Sequence, residues 1–358
     1  MSASVSRATI HIAVLPGDGI GPEVVAEGLK VLHALDRHGE LGLTTHEFAW
    51  GTDWYRRQGD MMPGDALDQL SGFDAIYLGA VGSPSVPDHI TLRGFVLRLR
   101  FGFDQYVNLR PIRLLPGAVS PLATRRPLDI MFVREGSEGE YAGVGDWLFP
   151  NTAHEVALQT AVFSRRGVER VIRWTFEEAR MRGRHKVTSV SKANAMNYSG
   201  VLWDRVFNEI AVGYPDLESE TLLVDAAAML MITHPDRFDV VVTSNLYADI
   251  LTEIGAALQG GIGLAASGNL NPERRFPSMF EPIHGSAPDI AGRGIANPIG
   301  AIWSAALMLE WLGLDSSAAK VLAAIEEVLG AGECLTPDLG GSSTTSAVGD
   351  AIAERVSE

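Results

Sequence analysis

A short apolar run that stops at a turn and passes directly into a helical pattern specifies a strand–turn–helix unit, and this chain repeats that pattern along much of its length. The clearest copy spans residues 238–258. There FDVVVT reads as a buried strand, Ser244–Asn245 punctuates it, and Leu246, Ile250, Ile254 and Leu258 recur at helical spacing. The chain opens the same way, with a strand expected from Thr9 to Leu15, the turn PGDGIG, and a helix with Pro22 near its first turn and an apolar stripe through Val25, Leu29 and Leu32. Further strand candidates are residues 75–78, 129–133, 186–190 and 240–243, most of them followed by a helical pattern. Such alternation predicts an α/β fold with a largely parallel sheet covered by helices. At 358 residues the chain is long enough for two domains sharing an extended core.

Charge narrows the function classes. A formal net charge of −15 argues against a nucleic-acid partner, because neutralising phosphates needs a basic face, and disfavours adsorption to an anionic membrane. No stretch approaches the roughly 18 consecutive apolar residues of a spanning helix, and the apolar run in MSASVSRATIHIAVLPGDG is too short for a signal peptide. A cytoplasmic location is the simplest expectation. The single cysteine, Cys334, rules out an intrachain disulfide and a cysteine-based zinc site. The turn Gly17-Asp18-Gly19-Ile20-Gly21 has the spacing G-x-G-x-G and not the G-x-G-x-x-G of a dinucleotide site, so it reads as a tight strand-to-helix turn. Pro and Gly crowd residues 260–298, a span too long for a mere connector, and loops of that length are usually functional.

Asp249 and Glu253 lie four residues apart in the helical stretch LYADILTEIGAAL, on one helix face. Bare like charges at that spacing cost a helix roughly 0.2–0.5 kcal/mol. The pair is therefore either a solvated face or a site that expects a cation, and its position at the end of a strand is where open α/β sheets bind ligands. Asp225, in LLVDAAAML, is an acid among apolar residues, and a buried carboxylate needs a partner. A divalent metal would satisfy all three acids, and oxygen ligands without His or Cys suit magnesium or manganese.

Between Arg93 and Arg113 there are five arginines (93, 98, 100, 110 and 113) and one acid, Asp104, in a chain that is acidic overall. A local excess of guanidinium forks points to a small anionic ligand bound through carboxylates. For Arg98 and Arg113 singly, pairing with surface carboxylates is the better reading. Arg134 ends the strand IMFV and could add another fork, with Tyr141 seven residues on. Lys192 follows the strand VTSV; at the end of a strand it is either simply solvated or, facing a cationic site, lowered in pKa and fit for proton transfer.

Together, RFDVVVTSNLYADIL, SVSKAN, the Arg100–x9–Arg110 spacing in RFGFDQYVNLRP, VREGSEGEY and FEPIHGSAPDIAGRGIANP resemble the isocitrate and isopropylmalate dehydrogenase family of metal-dependent β-decarboxylating dehydrogenases. The likeness runs from PGDGIGPEV to the last helix, and VPDHITL with FDQYVNLRP looks most like the tartrate and D-malate dehydrogenases. It implies two α/β domains sharing an extended, largely parallel sheet with the active site in the cleft between them. The larger domain would comprise residues 1–105 and 263–358 and carry the cofactor loops; the smaller, 106–262, would carry the metal ligands, the acid–base residues and a dimer interface. Arg100, Arg110 and Arg134 would hold the substrate's carboxylate groups, with Arg93, Val96 and Leu97 lining the pocket for its C3 substituent. Tyr141 and Lys192 would be the acid–base pair, and Asp225, Asp249 and Glu253 match the metal positions. In the family the lysine and the first aspartate come from the partner subunit, which implies a homodimer with composite sites. Cofactor contacts carry over to Asn194, His284, Gly285, Ser286, Ala287, Asp289 and Asn297. A carboxylate at Asp289 accepts from ribose hydroxyls and repels a 2′-phosphate, so the implied cofactor is NAD. The metal is Mg2+ or Mn2+, with K+ as a further candidate.

The chain departs from the pattern at three places. Glu253 stands where the family has aspartate, Ala248 where it has glycine, and Arg93 where the tartrate and D-malate enzymes carry tryptophan and the isopropylmalate enzymes an acid. A cation at 93 favours an extra anionic substituent, whereas Val96 and Leu97 favour a small or apolar one. The expected activity is oxidative decarboxylation of a D-2-hydroxy diacid of the D-malate or tartrate type, with 3-isopropylmalate as the alternative. A binding paralogue without turnover and a metal-free Rossmann dehydrogenase are the rival readings. Asp249→Asn is expected to abolish metal-supported turnover and leave the fold intact, because it removes charge from a self-repelling pair.

Overall fold

A computed structural model of the chain describes residues 9–37, 41–123 and 126–357. The N-terminal stretch weighed above as a signal peptide thus begins outside the described residues. In chain order the strands are β1 (Ile10–Gly17), β2 (Leu43–Glu47), β3 (Ala75–Ala80), β4 (Val107–Arg113), β5 (Asp129–Glu135), β6 (Gly139–Leu148), β7 (Val156–Val162), β8 (Lys186–Ser191), β9 (Glu218–Leu223), β10 (Val240–Thr243), β11 (Ala266–Leu270) and β12 (Ser278–Pro282). Two compact units divide the chain. The first contains residues 1–105, 114–121 and 259–358, and the second residues 106–113 and 122–258. Among the described residues no helix is long and apolar enough to cross a membrane.

In the first unit the strands run in the order β2-β1-β3-β12-β11. All pairs are parallel except β11 with β12. β3 is buried on both faces, which is why its sequence, AIYLGA, is almost continuously apolar and does not alternate. One face packs into a cluster of Leu15, Ile76, Leu78 and Met279 against Met61, Phe95, Leu99 and Phe103. Burial of each such side chain contributes about 1.5–3 kcal/mol. On the other face the Tyr77 hydroxyl donates to the Ala301 carbonyl at 2.8 Å, and full burial holds its phenol far above the ordinary tyrosine range. The Pro/Gly-rich span 260–298 is not one long loop. It contains β11 and β12, both wholly buried, because small residues such as Ala266 and Gly268 let the hairpin close against Phe280.

In the second unit the order is β4-β5-β10-β8-β9, with β4 antiparallel to β5 and the rest parallel. β10, four β-branched residues all buried, lies between β5 and β8 and passes through Ser244 into the helix Asn245–Leu258. The helix Arg165–Met181 is capped by Ser164, whose hydroxyl accepts from the Gly167 amide at 2.9 Å. β6 and β7 form a separate two-stranded ribbon, and it exposes Val144, Trp147, Leu148, Val156 and Leu158. An isolated ribbon of that kind is at best marginally stable in water.

Candidate active site

In the second unit, parallel pairing sets Thr243, the last residue of β10, beside Arg134 near the end of β5, and β4 brings Asn108 opposite Arg134. Arg134 and Arg110 are only 2% and 5% exposed. A buried guanidinium is costly unless its donors are met, and here they are met densely. Arg134 Nε and Nη2 both donate to Asn245 Oδ1, at 3.0 and 2.6 Å, and its Nη1 donates to Asp249 Oδ1. Arg110 Nε donates to Asn108 Oδ1 at 2.7 Å, Nη1 to the Thr252 hydroxyl at 2.6 Å, and Nη2 to Asp249 Oδ1 at 3.3 Å. The Tyr141 hydroxyl donates to Asp249 Oδ2 at 3.0 Å, with the Arg134 guanidinium 5.5 Å from its ring centre. Asp249 is thus the meeting point of two arginines and a phenol. Asn108, Asn245 and Thr252 aim those arginines, and the sequence singled out none of them as functional; Asn245 alone stood at a marked position, the turn after an apolar strand.

Glu253 lies one helical turn beyond Asp249, on the exposed side of the helix. Desolvation by the surrounding protein raises its carboxyl above the ordinary range; Arg110 and Arg134 oppose that shift, and Asp249 adds to it. Asp225 lies elsewhere in the unit. Its side chain is 66% exposed and accepts from Lys192 Nζ at 2.5 Å, a bond that holds its carboxyl below the ordinary range. The expectation of a buried Asp225 is therefore corrected, because its helix, Val224–Thr233, turns Asp225, Met229 and Ile232 to solvent along one face. Among the described residues no three His, Cys, Asp or Glu side chains gather into a cluster that could hold a metal. Asn194, two residues after Lys192, is exposed.

The first unit holds the other expected residues. Arg93 and Arg100 sit seven apart, a spacing that puts both on one face of a regular helix, yet Arg93 is exposed and Arg100 buried. The cause is a π-helical turn, Leu92–Val96, whose wider i→i+5 bonding breaks the phase between them. Val96 and Leu97 are buried, Val96 within the apolar cluster. Arg100 Nη2 donates to Glu281 Oε1 at 2.8 Å, and Asn269 donates to the same oxygen at 2.8 Å. The Nε of Arg100 is buried without a partner. Arg98, expected to pair with carboxylates, instead donates to backbone carbonyls of Pro63 and Gly64 at 3.0 and 2.7 Å.

His284 is buried, with Nδ1 3.1 Å from the Gly285 carbonyl and Nε2 without a partner. Burial lowers its pKa, so the ring is neutral; Nδ1–H donates to the carbonyl, which leaves Nε2 as an acceptor. The Ser286 carbonyl accepts from the Ile20 amide at 2.9 Å, Ala287 holds a left-handed φ of +40°, and Asp289 is exposed. Asn297 is buried, donating to Asp338 at 3.0 Å and accepting from the Ile299 amide at 3.0 Å. The glycine turn packs against this loop, and Asp18 ties it down by accepting from Thr52 N–H and hydroxyl at 2.8 and 2.6 Å and from the Gly82 amide at 2.8 Å.

The family model described as isocitrate/isopropylmalate dehydrogenase matches residues 11–352. The chain belongs to this family. It is 53% identical over 357 residues to a 3-isopropylmalate dehydrogenase of Thermobifida fusca, with 99% of each chain covered. It is 49% identical over 353 residues to the decarboxylating D-malate dehydrogenase of Escherichia coli K12, covering 96% of this chain and 98% of that one. It is also 49% identical over 348 residues to a probable tartrate dehydrogenase/decarboxylase of Agrobacterium vitis, covering 96% and 97%. In structure it is similar to the isocitrate dehydrogenase of Methylococcus capsulatus, with a TM-score of 0.90 and 36% identity over 98% of this chain and all of that one. The fold is that of an isocitrate dehydrogenase, and the protein is a decarboxylating dehydrogenase of this family.

Proposed function

We propose that this protein uses NAD and a divalent metal to oxidise a D-2-hydroxy diacid of the D-malate or tartrate type at C2 and release its C3-borne carboxylate as carbon dioxide. The observation that carries the reading is the convergence of Arg110, Arg134 and Tyr141 on Asp249, with Glu253 one turn away. Two guanidiniums and a phenol around one carboxylate make a site for an anionic substrate beside a proton donor. Arg110 and Arg134 hold the substrate's carboxylate ends, and Arg100 brings a single unspent Nε donor.

The metal fits as a shared group. Asp249 and Glu253 would give two hard oxygen donors, a third of an octahedral magnesium or manganese shell, and the exposed Asp225 of a second copy would bring the protein's share to half, with substrate and water oxygens for the rest. When bound, the cation polarises the C2 oxygen and stabilises negative charge as carbon dioxide departs. NAD, held along His284 to Asp289 with Asn194 and Asn297, is the hydride acceptor, and exposed Asp289 favours it over NADP. The hydroxyl proton leaves through Lys192 of the second copy or a water relay beside it, and Tyr141 delivers a proton to C3. A homodimer follows from this arrangement. Its support is apolar surface left uncovered on the second unit: Met229, Ile232 and Ile250 on two helices, and Trp147, Leu148 and Leu158 on the ribbon. Sedimentation that finds only monomers at assay concentration refutes the composite site.

A second reading, 3-isopropylmalate as substrate, is favoured by the 53% identical relative and by the apolar, buried Val96 and Leu97. A substrate panel of D-malate, tartrate and 3-isopropylmalate with NAD and manganese separates the two through relative kcat/KM. The highest value is expected for one of the first two, and activity that survives thorough chelation refutes the metal requirement.

A further inference from the structure

The turn that joins Arg134 to Tyr141 is built on two glutamates that point into the protein. Glu135, 2% exposed at the end of β5, accepts through Oε1 from the Ser137 amide at 2.8 Å and the Ser137 hydroxyl at 2.6 Å, and through Oε2 from the Glu138 amide at 2.8 Å. Ser137 Oγ in turn accepts from Arg170 Nη2 at 2.8 Å, and the Arg170 guanidinium lies 3.9 Å over the Tyr106 ring. Glu138 reaches the next helix. Its Oε2 accepts from the Ser164 amide at 2.8 Å and its Oε1 from the Ser164 hydroxyl at 2.5 Å, so it holds the residue that caps helix Arg165–Met181. The Glu138 carbonyl accepts from Asn245 Nδ2 at 3.3 Å, and the Oδ1 of that same amide holds Arg134. Helix position 167 is glycine because the Glu138 carboxyl fills the space a side chain would need; a Cβ there would lie 2.4 Å from it.

Joining two strands does not require a buried carboxylate and a second, half-buried one, and a carboxylate is costly to bury unless its lone pairs are used. What this clamp does is fix the relative position of a guanidinium and a phenol that must reach opposite oxygens of one carboxylate, Asp249. We propose that Glu135 and Glu138 are positioning residues that hold Tyr141 and Arg134 in register over Asp249, an inference that rests on the functional reading above. Their carboxylate oxygens are engaged by Ser137, the Glu138 amide and Ser164, and no contact with substrate or cofactor is assigned to them. They act by denying the turn any second conformation.

The test is a double-mutant cycle in the full-length protein with the best substrate of the panel. Glu138→Ala is expected to lower kcat about 100-fold, the cost of a misplacement near 1 Å, with KM moved less than about threefold, and Glu138→Gln to recover most of the loss. In a Tyr141→Phe background the same Glu138→Ala change should cost no more than about tenfold, the share that acts through Arg134, because residues that act as a unit are not additive. Equal losses in both backgrounds overturn the proposal. An independent readout needs no turnover: the fluorine resonance of 3-fluorotyrosine at position 141, sharp in the parent, should shift or broaden in Glu138→Ala and in Gly167→Ala, which displaces the carboxyl without removing it. An unchanged resonance in both variants overturns the positioning role. An inert parent with a responsive resonance overturns only the proposed reaction.

Discussion

Arg134 and Arg100 are both buried guanidiniums, one in each unit, and they are satisfied in opposite ways. Arg134 divides its donors between Asn245 and Asp249, and neighbouring Arg110 does the same among Asn108, Thr252 and Asp249. Arg100 has one carboxylate partner, Glu281, and a buried Nε with none. The second-unit pair is therefore rigid before any ligand arrives, at the cost of presenting few free donors. Arg100 keeps a donor in reserve, and a buried donor left unmet costs about 1–3 kcal/mol until something accepts from it. A ligand oxygen that meets it recovers that energy as affinity.

The largest effect expected from breaking this contrast is at Asp249. Asp249→Asn should lower metal-supported kcat/KM more than about 100-fold. The structure also changes what is expected of the fold, because the aspartate is the counter-ion of two buried arginines and not half of a repelling couple. A stability loss of roughly 1–3 kcal/mol, read from urea unfolding, should accompany the activity loss, less than the 3–5 kcal/mol of a fully buried pair because the Asp249 side chain is 37% exposed. Next comes Arg100. Arg100→Lys keeps the charge facing Glu281 but loses the fork, so KM should rise about tenfold, the equivalent of 1.4 kcal/mol, while the urea midpoint moves little. A KM within twofold of the parent would mean that the idle Nε does not meet substrate. Asn245→Ala should cost about 1–3 kcal/mol of stability by stranding two Arg134 donors, and should raise KM less than Arg100→Lys does.

The smallest effect is in pH. His284 has its pKa depressed by burial, so the unfolded chain binds its proton more readily than the folded one. Its contribution to stability is complete above the unfolded value, near 6.5, and is lost as pH falls through the folded one. The melting temperature of the parent should therefore drop more between pH 7 and pH 5 than that of His284→Gln; parallel curves would remove His284 from the acid response.

Much of this was legible in the sequence where one physical rule acts alone. β10 and the helix after it fall where the apolar run and the 3.6-residue period place them, because a buried parallel strand has no competing pattern. β6 and β7 escaped, since a ribbon exposed on both faces shows no clean alternation. β11 and β12 were hidden by glycine and proline, whose usual meaning as loop formers yields here to close packing. At the site, charges stood out and the neutral groups that aim them did not. Asn108, Asn245 and Thr252 look like any polar residue until folding brings them to an arginine, Asn108 two residues from Arg110 on β4 and the other two on the helix after β10. Arg93 and Arg100 show the converse: their spacing is regular, and a π-helical turn that no residue pattern announces sends them apart.

The glycine turn after β1 limits how this loop can vary. A Cβ at Gly17 would lie 2.0 Å from the Ala80 carbonyl oxygen, at Gly19 2.0 Å from that of Ser286, and at Gly21 2.2 Å from that of Pro16. Those contacts are with backbone, which cannot swing aside as a long side chain can. Gly285, on the loop that the turn supports, has nothing within 4 Å of the same point. In a library that samples every amino acid at each position, the three turn glycines should stand as empty columns, while Gly285 should admit most replacements as far as folding is concerned, leaving only ligand binding to select among them. The turn is a fixed floor beneath a loop that is free to diversify.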